Sequence, residues 1–105
     1  MGGAARLDPA LRRRVVGLGA TSLYDAGRYA EAADRGRELI EARPDQGYLY
    51  YNVACCESLA GRTADAIEHL RQAIDMWEGC RDMANEDSDF DPIRDEPAFQ
   101  ELVGR

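Results

Sequence analysis

Four side chains have the types that nucleophilic or metal chemistry uses: His69, Cys55, Cys56 and Cys80. A catalytic thiol needs a base within hydrogen-bond reach, and a structural zinc site needs four ligands, commonly with two in a C-x-x-C pair. Cys55 and Cys56 are adjacent, so on a helix they point about 100° apart and cannot both face His69. His69 itself falls at a helix position expected to face solvent. No C-x-x-C spacing occurs, and an odd number of Cys without a framework pattern reads as reduced thiols. Asp87, Asp89 and Asp91 open like a calcium loop, D-x-D-x-D. The sixth position, where Gly makes the sharp turn, is Pro92, and the twelfth, where a bidentate Glu belongs, is Ala98. These acids are expected to keep a turn solvated, with Arg94 pairing among them. Arg12, Arg13 and Arg14 form a basic run, but three consecutive residues spread around a helix and make no single patch. The glycines fall at helix ends, not in a phosphate-binding loop. The expectation is a chain without catalytic residues, metal or other cofactor.

Bulk composition narrows the classes. The chain has 105 residues, enough for one domain, with 45% hydrophobic and 31% charged residues. Its net charge of −7 disfavours general binding to nucleic acid or anionic membranes. No apolar run reaches the roughly 20 residues that span a bilayer, and no signal peptide is evident, so the expected location is the cytoplasm. All 13 basic residues are Arg, which reads as the codon bias of a GC-rich, bacterial genome and not as chemistry.

The elements that would position any site follow from an internal repeat. AGRYAEA at Ala26–Ala32 returns as AGRTADA at Ala60–Ala66, 34 residues later. Ala20 and Ala54 also correspond, as do Ile40 and Ile74. A gapless period of this size marks a helical-hairpin repeat. Asp8-Pro9 predicts a helix start, and Gly27 and Gly61 predict helix ends, since Gly takes the left-handed conformation cheaply. Helices are predicted to about Ala26, then over 29–42, 46–60 and 63–77. Residues 1–8 are expected to be a flexible N-terminus, 9–44 and 45–79 two hairpins, and 80–105 a degenerate third unit. In that unit a short helix is predicted near 80–85 and another near 96–103. Trp77, Phe90, Ile93, Phe99, Leu102 and Val103 give it an apolar side, suited to capping the exposed end of a repeat array. Ala32, Ala54, Ala66 and Ala73 are expected where helix axes approach closely, with Leu39, Val53, Leu70 and Ile74 filling the space between.

With Tyr50, Val53-Ala54, Ala66, Leu70 and Ala73 in the second unit, the pattern resembles the tetratricopeptide repeat (TPR). The first unit matches at Val16, Gly19-Ala20, Leu23, Ala32 and Pro44. It departs at Gly36, where a large residue is usual, and at Leu39, where Ala is usual. The resemblance covers about Arg13 to Glu78. It implies an all-α fold: a right-handed superhelical stack of helix-turn-helix repeats with a C-terminal capping helix. It also implies a non-catalytic module that binds a peptide or partner protein on a concave face lined by the first helix of each hairpin. By position that groove would hold Arg14, Leu18, Thr21 and Asp25 from the first unit, and Tyr48, Tyr51, Asn52, Cys55 and Leu59 from the second. Tyr and Arg suit interfaces, and Asn52 has an amide for a partner's backbone. Tyr50 and Leu59 also fit as plain core residues. Capture of a C-terminal carboxylate is disfavoured, because Asp82 and Glu86 stand where further basic residues would fall. The alternative is structural: two units are fewer than the usual three, so the chain would self-associate, as a homodimer for instance, or be a segment of a larger protein.

Overall fold

The computed structural model describes residues 23–104. Five α-helices follow one another: α1 (Tyr29–Ala42), α2 (Gly47–Leu59), α3 (Thr63–Met76), α4 (Gly79–Glu86) and α5 (Pro97–Val103). A 3-10 segment, Ser88–Ile93, lies between α4 and α5. Residues 23–25 are also helical, and no strand occurs among the described residues. No helix among them is long and apolar enough to cross a membrane. The expected helix start at Asp8-Pro9, the flexible 1–8 and the groove positions Arg14, Leu18 and Thr21 lie outside the described residues.

The repeated string builds the same turn twice. Gly27 and Gly61 have φ of 79° and 82°, the left-handed region that Gly enters without a Cβ penalty. The next N–H reaches back over the turn, Arg28 to the Leu23 carbonyl and Arg62 to the Glu57 carbonyl, both at 2.8 Å. The Gly N–H groups close the inner bonds to Tyr24 and Ser58. This pairing satisfies carbonyls that a helix end would otherwise leave open. Arg28 and Arg62 then share φ −93° and ψ 70° and lead into α1 and α3. Helix starts at Tyr29, Thr63 and Pro97 are spaced by the same 34 residues.

α2 is the axis of the fold. It packs against α1, α3 and the 3-10 segment. Every residue from Leu49 to Ser58 is buried, so α2 has no solvent face, whereas α1 and α3 each keep one. An apolar residue on every side of a helix predicts this kind of enclosure. Ala32, Ala54, Ala66 and Ala73 are fully buried, as expected for close helix approach. Gly36 explains its departure from the repeat pattern. A Cβ there would lie 2.5 Å from Cγ2 of Val53, so the side chain of α2 occupies the space a larger α1 residue would need.

The C-terminal segment folds back onto α2. α4 stops at Glu86, and Asp87 caps the next turn by accepting from Asp89 N–H at 3.0 Å. Pro92 has no N–H to donate, which suits a short 3-10 stretch better than a continuing α-helix. Phe90 then enters the core between Tyr51 and Phe99, with ring centroids 5.7 and 5.5 Å away. Arg94 closes the turn: it donates to the carbonyls of Asp87 (2.7 Å) and Asn85 (3.1 Å), pairs with Asp91, and covers the Phe99 ring. Arg81 and Asn85 of α4 donate to the carbonyls of Leu102 and Val103, satisfying the end of α5. These contacts hold the C-terminal segment against α2 and join α4 to α5. Two details differ from the sequence-based expectation. Asp87 and Asp89 are buried, not solvated; only Asp91 faces water. Trp77 does not join the apolar side of the cap, because the chain turns extended there (φ −151°, ψ 102°) and swings the indole outward.

Gly36→Ala tests the closeness of α1 and α2. Ala favours a helix over Gly by about 0.5–1 kcal/mol, while overpacking a tight site costs about 1–3 kcal/mol. A net loss of about 1 kcal/mol is expected in urea denaturation. Adding Val53→Ala should recover part of it, since the new methyl occupies the vacated space. A more stable single variant would contradict this packing.

Candidate functional site

The structure closes most of the face that was expected to be an open groove. Tyr51, Asn52 and Cys55 are each 1% exposed. The cause is the C-terminal segment: the 3-10 turn lies along α2, and Asp87 meets both Tyr51 and Cys55. The Tyr51 hydroxyl donates to Asp87 Oδ2 at 2.8 Å, and the Cys55 thiol lies 3.9 Å from the same oxygen. Tyr24 donates to both oxygens of Asp89, at 3.0 and 2.8 Å. Asn52 turns its amide back to the Tyr48 carbonyl at 2.8 Å, so it is spent inside its own helix. Asp25 is exposed, and Tyr48 and Leu59 are partly exposed. Leu59 borders an open cleft of about 330 Å³ together with Ala60 and residues 27–31.

Two buried polar clusters stand on α2. In the first, Cys55, Asp87 and Asp89 place one ligand-type atom each within 4.8 Å of one another. Tyr hydroxyls and the Asp89 N–H donate to these carboxylates, which is how buried acids are normally accommodated. The three Asp of the D-x-D-x-D string do not converge, because Asp91 points outward to Arg94. In the second cluster, Glu57 is fully buried and its Oε1 lies 2.7 Å from Nδ1 of His69. Its other oxygen lies 3.8 Å from Arg37 of α1, and Arg37 also reaches Asp65 of α3 at 3.9 Å. His69 does not face solvent as its helix position suggests: its side chain is only 17% exposed because Glu57 draws it inward. A carboxylate that orients an imidazole is half of a nucleophile relay. No hydroxyl or thiol completes it by a hydrogen bond to His69 among the described residues. What the cluster does is tie α1, α2 and α3 together through one buried carboxylate.

The exposed chemistry lies at the end of the molecule where α2 begins and α3 ends. Trp77 and Met76 are the exposed large hydrophobics among the described residues, at 37% and 45%. Tyr48 leans on the indole, with ring centroids 4.6 Å apart and planes at 56°. Gly47 and Gly79 permit this arrangement. A Cβ on Gly47 would lie 3.3 Å from Cβ of Met76, and one on Gly79 would lie 3.1 Å from the indole nitrogen. The repeat register singles out Tyr48. It does not single out Met76, and the sequence reading places Trp77 on the apolar side of the C-terminal segment. The signal against that assignment is Gly79: a helix about to end need not keep its last apolar residue on the buried side.

Compared with protein-family models, with curated proteins and with solved structures, the chain returns no match.

Two measurements follow from the buried clusters. His69→Ala leaves the Glu57 carboxylate without its nearest partner, and a loss of about 3 kcal/mol is expected. Replacing both with Leu should restore most of that stability in thermal or urea melts. An unchanged melting curve for His69→Ala would show that the pair holds nothing. Burial also pushes the Cys80 thiol up to about 12, and Cys55 and Cys56 are equally enclosed. At neutral pH a disulfide reagent should find no fast-reacting thiol in the native chain and all three after denaturation. A fast native reaction would contradict the enclosure.

Proposed function

We propose that the chain is a short TPR-like stack, right-handed in its superhelical sense, that acts as a non-catalytic protein-binding module of the cytoplasm. Recurrence of the Gly-Arg turn and of the 34-residue helix step supports the repeat reading. The groove interior is not the contact surface in this reading, since the chain's own C-terminal segment fills it. The contact surface is the aromatic end formed by Tyr48, Met76 and Trp77. One observation carries the choice: a Trp held against Tyr and backbone, with more than a third of its surface still in water. Trp, Tyr and Met are enriched at interfaces, and a ring already held in place loses little conformational freedom on binding.

Photo-crosslinking tests the placement. A benzophenone side chain at position 48 should trap a discrete protein in lysate, and the same group at the exposed Glu31 of α1, beside the opposite end of α2, should not. Equal trapping at both positions, or none at 48, would contradict the assignment. A trapped second copy of the chain would favour self-association over a foreign partner.

A further inference from the structure

We propose that the aromatic end receives a cationic, amphipathic segment of a partner. Its apolar side chains would cover Met76 and the indole, and its Arg or Lys side chains would meet the carboxylates around them. This rests on the interaction reading above and names the partner's chemistry.

Three observations carry it. First, the chain is acidic: it has 20 Asp and Glu against 13 Arg and a net charge of −7. Any partner approaching this surface moves through a negative field, which speeds and selects positively charged segments. Second, the charges at this end are unevenly used. Asp75 and Glu78 are held by Arg71 and Arg81 at 2.8 and 2.6 Å. Glu41 in the last turn of α1 and Asp45 just before α2 are exposed and make no salt bridge among the described residues. The last turn of α3 holds Asp75 and no basic residue, so nothing in that turn offsets the negative end of the helix dipole. Arg43 is the one cation in the loop that joins α1 to α2. Third, the indole is fixed. Tyr48 leans on it and the bare backbone of Gly79 stands beside its nitrogen, while 37% of the residue stays in water as apolar surface for a partner's side chains.

The test uses the full chain and two labelled peptides of identical length and pattern, one of Leu and Arg, the other of Leu and Glu, read by fluorescence anisotropy. The Leu/Arg peptide should bind and the Leu/Glu peptide should not. Trp77→Ala, and separately Glu41→Lys with Asp45→Lys, should each weaken the Leu/Arg peptide about tenfold or more. Glu31→Lys, a charge reversal in the first turn of α1, beside the opposite end of α2, should leave it within about twofold. Circular dichroism checks that each variant is folded. Equal binding of both peptides would overturn the cationic partner and leave the interaction surface standing. Binding of the Leu/Arg peptide that ignores Trp77→Ala would also overturn the proposal, since it would reflect diffuse charge. If neither peptide binds, the proposal fails, and the interaction reading then rests on the crosslink at position 48 alone.

Discussion

The structure depends on the burial of α2 on every side. Ten consecutive residues, Leu49 to Ser58, are shielded from water, and each side of the helix must therefore find a different neighbour. Toward α1 that side is Val53 and Cys56, with Gly36 admitting the Val53 methyl. Toward α3 it includes Glu57, paired with His69. Toward the C-terminal segment it is Tyr51 and Cys55, met by Asp87 and Phe90. A small chain buries a modest share of its surface, so a central helix used on every side is an efficient core. Of the polar residues on α2, Glu57 meets His69 and Arg37 of the neighbouring helices, and Asn52 turns its amide to the Tyr48 carbonyl of its own helix.

That constraint accounts for the C-terminal segment. A third hairpin of full length would leave the Tyr51 side of α2 to solvent or to a partner. Here α4 is cut short at Glu86, and the following turn lays Phe90 and Ile93 into the core instead. The segment is thus part of the same hydrophobic cluster as Leu70, Ala73 and Ile74. A face that holds the core together is not also free for a ligand. The interaction reading moves for this reason to the end of the stack, where Trp77 and Met76 remain in water.

Much of the architecture is legible in the sequence. Gly27 and Gly61 mark their turns by residue type alone, and the helix over 29–42, and that over 63–76 to within one residue of the expected 63–77, follow from those turns, from Pro44 and from apolar spacing. The buried Ala set follows from the repeat. The position of the site is far less legible. Repeat register says which side of α2 Tyr51, Asn52 and Cys55 occupy, but not what covers that side. Covering depends on Asp87 and Asp89 turning inward, and acids in a turn ordinarily face water. Their burial requires the Tyr24 and Tyr51 hydroxyls, residues 65 and 36 positions away, which no local pattern reveals. His69 escapes local reasoning in the same way: its environment is set by Glu57 on another helix. Trp77 escapes it because α3 ends one residue before it, and the extended backbone there turns the indole away from the apolar side of the C-terminal segment.

The claim that the C-terminal segment is a fixed part of the core is open to one direct measurement, native-state amide hydrogen exchange across a denaturant series. If Tyr51, Phe90 and Phe99 belong to one cooperative unit, the amides of α2 and those protected in the 3-10 segment and α5 should open only with global unfolding, at the same free energy. If the amides of residues 87–93 instead open at much lower free energy while α2 stays protected, the segment is a detachable cover. The face of Tyr51 and Cys55 would then be a gated groove, and the C-terminal segment would be no part of the fixed core.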